Sequence, residues 1–441
     1  MMIASRYILA CLACSVAFGT QSRAATDTAT HDFGCKFLEQ KAEPQSIIGQ
    51  DGFVFRVHTD LRLHHTFTDQ TVTNLAHLSK WLKQNGTTLI YAPVPTKSQA
   101  MPDYLPQTAK LYGYDDRISG VVYENIIGRL KAAGVVTVDL MTALRAAEPG
   151  KEPFFKADFH WSPEGARLAA KAISETIKAQ PDYQQVTKTS FQTVARPKTP
   201  LFSKMRDNLQ RYCKESLPAI NSVTYQTQET AGASQGATLD LFGPQQADPI
   251  ALVGTSFSDA QYYNFAGFIR QYSSLRLTNY SVTGGNQFGS MLSYLTSNDF
   301  KTSRPKFIVW ENPIYNNLGQ FGAAPWVELW ASARQECVST AANLEDGGKE
   351  AFLDNLSRRS LQEDLAILVD SDDTSIRSVN VKVDYASGRS RNITIERNSR
   401  IRSTGRFYMP VRPIAHEQIS QLTIDFSKPS DGVPIVQLCS Y

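Results

Sequence analysis

The sequence predicts a mostly parallel α/β sheet followed by a small C-terminal β-sandwich. From Gly49 to about Pro313, apolar strand-like runs alternate with helix-patterned segments, and repeated β-α units of this kind build a parallel sheet covered on both faces. After Cys337 the pattern changes to short period-two runs separated by turn residues, with no helix of length, the mark of a sandwich of about 100 residues. A chain of 441 residues, 42% hydrophobic and 10% aromatic, supplies enough apolar surface for both cores.

The first stretch, "MMIASRYILACLACSVAFGTQSRAA", sets Arg6 before an apolar run through Gly19 and small residues from Ser22 to Ala24. This reads as a secretory signal over residues 1–24, too short and wrongly flanked for a membrane span, and predicts an exported, soluble mature protein of the periplasm. "TVTNLAHLSKWLKQNG" places Leu75, Leu78 and Leu82 at helical spacing and stops at Asn85-Gly86; "TTLIYAPVP" follows as a buried strand. "GVVYENIIGRLKAAG" is a second helix ending in glycine, followed by the strand "VVTVDLM". A helix over residues 163–179 opens with Pro163 near its first position and Glu164 in its first turn. The strand "IALVGTSF", a polar helix, "SLRLTNYSV", a short helix near "SMLSYLTSNDF" and the strand "KFIVWENP" complete this part.

Residues 185–247 break the rhythm: polar and rich in Gln, Thr and Lys, they read as an insertion, with "QTQETAGASQGATLD" as a mobile loop. "STAANLEDGGKEAF" reads as a linker. Beyond it, "VNVKVDYASGRSRNITIE" alternates Val379, Val381, Val383 and Tyr385, turns at Ser387-Gly388 and returns through Ile393 and Ile395 as a hairpin; "RFYMPV", "QLTIDFS" and "PIVQLCSY" add strands. The chain thus divides into a signal at 1–24, an α/β domain at 25–337 and a β-sandwich at 338–441.

Charge is nearly balanced, with 45 basic against 42 acidic residues and a formal net charge of +3, so nothing global points to nucleic acid. Of six cysteines, Cys11 and Cys14 fall in the signal, leaving Cys35, Cys213, Cys337 and Cys439. In an oxidising compartment these read as two disulfides. Three connectivities exist, and order along the chain favours Cys35–Cys213 within one domain and Cys337–Cys439 across the base of the other, each contributing roughly 3–5 kcal/mol. Among these four cysteines and the histidines, the close CxxC or HxxxH spacings of a metal site do not occur.

Two local signals carry chemistry. "LVGTSFSD", residues 252–259, ends an apolar strand at Gly254 and sets Ser256 on a strand-to-helix turn, where its hydroxyl would stand at the carboxyl edge of the sheet and the N–H groups of the turn would hold an oxyanion. It is not the GxSxG elbow. "FFKADFHWSPEGARLAA", residues 154–170, puts Asp158 and His160 two residues apart on one short loop. Serine needs an imidazole to take its proton and a carboxylate to orient that imidazole, and Asp158-x-His160 offers both. Each residue alone has a plain structural reading, Asp158 and Ser256 as helix caps and His160 as a satisfied histidine; together, on one sheet edge, they point to catalysis. His58, His64 and His65 read as surface or structural. Glu311, in "WENPIY", stands equally as a cleft residue or a satisfied carboxylate.

"DFHW" with "SPEGA", "GTSFS" followed by "YNFAGF", then "GSMLSYL" and "IVWE", resemble the alginate O-acetyltransferase family of AlgX, AlgJ and AlgV, over essentially the whole mature chain and with all four cysteines in place. The resemblance implies an SGNH-hydrolase-like domain with Asp and His preceding Ser, catalytic Asp158, His160 and Ser256, and a C-terminal carbohydrate-binding module. Tyr263 matches a tyrosine lining the family site, with one extra residue between it and Ser256. In the hairpin, an outward aromatic of the family is replaced by the set Asn380, Lys382 and Asp384, whereas Arg389 matches a basic position. Lys382 and Arg389 are therefore substrate-binding candidates. Arg377, Arg391, Arg397, Arg400, Arg402, Arg406 and Arg412 would make this domain cationic, suited to a polyuronate through arginine–carboxylate pairs.

The expected activity is transfer of acetyl groups onto sugar hydroxyls of an alginate-like anionic polysaccharide through an acyl-serine, with no cofactor or metal. Expected partners are that polymer and the membrane acetyl-transfer and polymer-export proteins that the resemblance implies. An exported carbohydrate acetylesterase uses the same residues with water as acceptor; a polysaccharide-binding assembly scaffold would not use them at all.

Overall fold

The computed structural model describes residues 31–230, 247–339, 342–345, 350–353, 365–411, 419–428 and 433–441. The signal at 1–24 and Arg412 lie outside these residues, as does the part of "QTQETAGASQGATLD" from 231 onward.

A short antiparallel pair, β1 (Ser46–Ile48) and β2 (Val54–Arg56), precedes the main sheet. Helix α1 (Asp69–Gln84) starts where the Thr68 hydroxyl accepts from the Thr71 N–H, and it buries Leu75, Leu78 and Leu82 before stopping at Asn85-Gly86. The sheet is built from β3 (Thr88–Val94), β4 (Val136–Thr137), β7 (Ile250–Val253), β8 (Leu277–Asn279) and β9 (Phe307–Pro313) in the order β4-β3-β9-β7-β8, every pairing parallel. Strands β3, β7 and β9 are buried along their whole lengths, as expected of a sheet with helices on both faces.

The faces alternate residue by residue. Ile90, Ala92, Val94, Leu252 and Val309 face α5 (Pro163–Lys178) and α8 (Phe265–Ser273), while Leu89, Tyr91, Val253, Ile308 and Trp310 face α1, α3 (Asp116–Ala132), α9 (Gly289–Leu295) and α11 (Ala324–Arg334). "VVTVDLM" is only partly strand: Asp139 caps α4 (Leu140–Arg145) by accepting from the Thr142 N–H.

Residues 185–230 are more ordered than their composition suggests. They form the antiparallel pair β5 (Phe191–Pro200) and β6 (Asn221–Glu229) with α6 (Lys204–Gln210) between the strands. Gln226 to Glu229, read from sequence as the start of a loop, are the end of β6, because cross-strand pairing with Phe191 to Val194 satisfies their backbone. Cys213 bonds Cys35 and fastens this segment to the start of the described chain.

The C-terminal part is two antiparallel sheets over one apolar core. One has the order β10-β18-β13-β16, from Cys337–Ser339, Ile435–Ser440, Leu365–Asp370 and Arg406–Val411. The other has the order β11-β12-β17-β14-β15, from Ala342–Glu345, Glu350–Leu353, Ile419–Phe426, Ser378–Tyr385 and Ser390–Glu396. Val379, Val381, Val383 and Tyr385 point inward between them. "STAANLEDGGKEAF" is not a linker: its backbone supplies β11 and β12, which extend the second sheet through pairing with β17. Cys337 and Cys439 are directly opposite residues of β10 and β18 and form the second disulfide.

Candidate active site

Ser256 and Glu311 stand at the carboxyl edge of the parallel sheet. Ser256 follows β7 at the start of the single-turn helix α7 (Ser256–Asp259), and Glu311 lies on β9, directly across from Ala92 of β3. Gly254 precedes the turn because nothing larger fits: a Cβ there would sit 2.5 Å from Oε2 of Glu311 and 2.8 Å from Oγ of Ser258. Glu311 is wholly buried and accepts from the Thr255 N–H at 2.8 Å, from the Thr255 hydroxyl at 3.1 Å and from the Ser258 hydroxyl at 2.9 Å. Of its two sequence readings, the satisfied carboxylate is the one the geometry supports, and it holds the turn that carries Ser256. Burial raises its carboxyl to about 7 against the opposing effect of these donors.

The loop of Asp158 and His160 is a tight reversal. Phe154 and Trp161 form an antiparallel bridge, and the Ser162 N–H donates to Pro153 O at 2.8 Å. Within it Oδ1 of Asp158 accepts the main-chain N–H of His160 at 2.8 Å, an Asx turn that swings the imidazole back over the same carboxylate. Nδ1 of His160 then lies 2.6 Å from Asp158 Oδ1, and Nε2 lies 2.8 Å from Oγ of Ser256. With Nδ1–H donating to the carboxylate, Nε2 is left as the acceptor facing the Ser256 hydroxyl. Burial pushes the Asp158 carboxyl up, but hydrogen bonds from His160 and Ser203 outweigh it and hold the group below the ordinary aspartate value. The indole N–H of Trp161 donates to Phe257 O at 3.0 Å, tying the loop to the turn that carries Ser256.

The sequence-predicted residues therefore separate into two places. Asp158, His160 and Ser256 meet. Tyr263 joins them as packing: it is 1% exposed, its ring centroid is 5.9 Å from that of His160, and its hydroxyl accepts from Tyr262 at 3.3 Å. Burial and the nearby charge of Asp158 raise the Tyr263 phenol well above its ordinary value, which keeps it neutral. Lys382 and Arg389 sit on the β14–β15 hairpin of the sandwich; both are exposed, and Lys382 pairs with Asp384 at 2.9 Å.

The cationic surface expected of the sandwich is smaller than its arginine count. Arg397 and Arg406 are buried: Arg397 forms a forked ion pair with Glu328 of α11, and Arg406 pairs with Asp370 at 2.7 Å and donates to Thr296 O at 3.0 Å. Arg377 donates to the carbonyls of Asn398 and Ile401. Arg397 and Arg406 satisfy buried acceptors and join the sandwich to the α/β part, while Arg391, Arg400 and Arg402 remain exposed.

Three contributors carry no local motif. Ser203, in the segment between β5 and β6, donates its hydroxyl to Asp158 Oδ2 at 2.5 Å. Arg56, at the end of β2, forks onto Asp60 and lies over the rings of Phe159, at 4.4 Å, and Tyr315, at 4.9 Å. Lys97, just past β3, reaches the loop from beneath. The only local hint is their spacing from strand ends. A cavity of about 1000 Å³ lies elsewhere, between α1 and α11, lined by Trp81, Trp330 and Tyr441 among others, and none of Asp158, His160 and Ser256 borders it. Among the described residues no helix is long and apolar enough to cross a membrane.

Comparison with known proteins agrees with this architecture. The chain is 29% identical over 390 residues to the alginate biosynthesis protein AlgX of Pseudomonas aeruginosa, covering 87% of this chain and 80% of that one. It is 30% identical over 320 residues to the probable alginate O-acetylase AlgJ of Pseudomonas putida, covering 68% and 78%. The solved structure of Pseudomonas aeruginosa AlgX superimposes with a TM-score of 0.75 at 24% identity, over 90% of this chain and 94% of that one, a likeness of fold. The O-acetyltransferase domain of Pseudomonas putida AlgJ gives 0.51 at 26% identity, over 65% and 98%. Residues 47–314 match the family described as SGNH hydrolase-like domain, acetyltransferase AlgX. The chain belongs to this family.

Proposed function

We propose that this protein is a periplasmic polysaccharide O-acetyltransferase that moves acetyl groups onto sugar hydroxyls of an exported polyuronate such as alginate, through an acyl-serine intermediate. The observation that carries the reading is the continuous hydrogen-bonded chain from Asp158 through His160 to Ser256. Membership of an acetyltransferase family supports acetyl as the group transferred, and the names of the AlgX and AlgJ relatives support an alginate-like polymer as acceptor.

The chemistry follows from the geometry. Oγ of Ser256 attacks the carbonyl carbon of an acetyl donor while its proton passes to Nε2 of His160; Asp158 stabilises the imidazolium through Nδ1–H. The main-chain N–H of Ser256 binds the tetrahedral oxyanion, such a donor typically lowering the barrier by about 3 kcal/mol, while the N–H groups of Thr255, Phe257, Ser258 and Asp259 hold the turn itself through Glu311 and Thr255. The donor's leaving oxygen takes the proton from His160 as its bond to the acetyl carbon breaks. His160 then accepts the proton of a sugar hydroxyl, that oxygen attacks the acyl-serine, and collapse returns the proton to Ser256 and leaves the sugar ester. Tyr263 bounds the imidazole, and exposed Lys382 and Arg389 contact uronate carboxylates on the sandwich.

The test incubates the mature protein with a chromogenic acetyl ester and defined mannuronate oligomers, followed by mass spectrometry. Acetylated oligomer formed by the wild type and lost in Ser256→Ala, with polymer binding unchanged, is the expected result. Free acetate alone would make the protein an esterase, and equal acetylation by Ser256→Ala would make the triad irrelevant.

A further inference from the structure

Strand β3 ends at Val94 and turns into the short helix α2 (Lys97–Ala100), whose first residue is fixed by a capping box. The Thr96 hydroxyl accepts from the Gln99 N–H at 3.3 Å, and the Gln99 side chain accepts from the Thr96 N–H at 3.0 Å. The side chain of Lys97 is thereby aimed beneath the Asp158–His160 loop, where the residue is 1% exposed. Nζ lies 2.6 Å from Phe155 O, 2.7 Å from Lys156 O, 2.9 Å from Val54 O and 3.1 Å from Asp158 O.

Four main-chain carbonyls thus converge on one ammonium that has three N–H bonds to share. Three of the four belong to a single run, Phe155 to Asp158. Carbonyl dipoles aimed at one point repel one another unless a cation sits there. Among the described residues no carboxylate lies within ion-pairing distance of Nζ, so the charge is held chiefly by these carbonyls, with the rings of Phe53 and Phe55 5.2 and 5.4 Å away. The loop and the ammonium hold each other in place.

We propose that Lys97 is a positioning residue for the transfer reaction: its ammonium fixes the backbone of Phe155 to Asp158 in the curve that presents Asp158 to Nδ1 of His160 and leaves Nε2 facing Ser256. The proposal rests on the catalytic reading of the triad. It adds a residue from the helix that follows β3, which touches none of the reacting groups. Burial draws the ammonium down to about 7, with the charges of Asp60 and Asp158 opposing and Arg56 reinforcing the shift.

The test replaces Lys97 by methionine, similar in length and uncharged, and follows hydrolysis of a chromogenic acetyl ester together with the downfield proton resonance of the His160 Nδ1–H. In Lys97→Met that retains a native-like near-ultraviolet spectrum, kcat is expected to fall about 100-fold with KM within about twofold, since a displacement of about 1 Å costs this much, and the downfield resonance is expected to disappear. A folded Lys97→Met with wild-type kcat, or with the resonance intact, overturns the proposal. Should methionine prevent folding, Lys97→Gln, which keeps two N–H donors, is expected to give an intermediate kcat, and wild-type kcat in that variant overturns the proposal equally. Ser256→Ala separates the two layers: if it is inactive while Lys97→Met is unimpaired, only the role of Lys97 fails, whereas an active Ser256→Ala removes the catalytic reading itself.

Discussion

Ser203 donates its hydroxyl to Oδ2 of Asp158, the carboxylate oxygen that His160 leaves free, while its own oxygen caps α6 by accepting from the Arg206 N–H at 3.0 Å. A segment inserted between two β-α units of the sheet therefore closes the Asp158 end of the hydrogen-bonded chain that runs through His160 to Ser256. With both oxygens engaged, the carboxylate cannot rotate away from the imidazole.

Removing the two contributions separately gives unequal effects. Asp158→Asn is expected to lower kcat for ester hydrolysis by on the order of 10⁴-fold, through loss of the tautomer that leaves Nε2 free. Ser203→Ala removes one hydrogen bond to a charged group, about 1.5–3 kcal/mol, and is expected to lower kcat by about ten- to a hundredfold. Steady-state kinetics of the two variants checks the ranking; an equal loss in both would contradict it.

Glu311 gives stability a defined pH slope. Its folded-state carboxyl stands near 7 against an ordinary value of 4.5, so between these values the native state binds more protons than the unfolded state and stability falls as pH rises; the slope vanishes above about 7. Glu311→Gln is expected to lose this slope, changing the stability difference between variant and wild type by roughly 3 kcal/mol across the window. Denaturant titrations at pH 4.5 and 7.5 measure it directly.

Gly254→Ala forces a methyl group against Oε2 of Glu311 and Oγ of Ser258. Overpacking of this kind costs typically 1–3 kcal/mol, and here the strain falls on the turn that carries Ser256. Thermal unfolding is expected to show a modest loss, and ester turnover a loss of more than about tenfold, because Oγ of Ser256 moves relative to Nε2 of His160.

Arg397→Met leaves the Glu328 carboxylate buried without its partner, and the expected loss is about 3–5 kcal/mol. The pair lies at the joint of the two parts, away from the triad's hydrogen bonds, so small-ester turnover below the unfolding temperature is expected to stay near wild type. Calorimetry beside the ester assay would expose any coupling.

Periodicity and local motif sufficed for much of this protein. The buried runs "TTLIYAPVP", "IALVG" and "KFIVWENP", the helix over Leu75, Leu78 and Leu82, and the hairpin of Val379 to Tyr385 are encoded by near neighbours, and each stands where the sequence places it. Asp158-x-His160 was legible for the same reason: an Asx turn within three residues aims the imidazole at its own carboxylate. The meeting with Ser256, the hydroxyl of Ser203, the ammonium of Lys97 under the loop and the burial of Arg397 and Arg406 are long-range matters. They depend on which strand ends become neighbours and which surfaces close on one another. A charged or hydroxyl side chain reads alike in sequence whether solvent or a buried acceptor awaits it, and only tertiary packing makes that choice, since the cost of leaving a buried polar group unpaired exists only after the chain has folded around it.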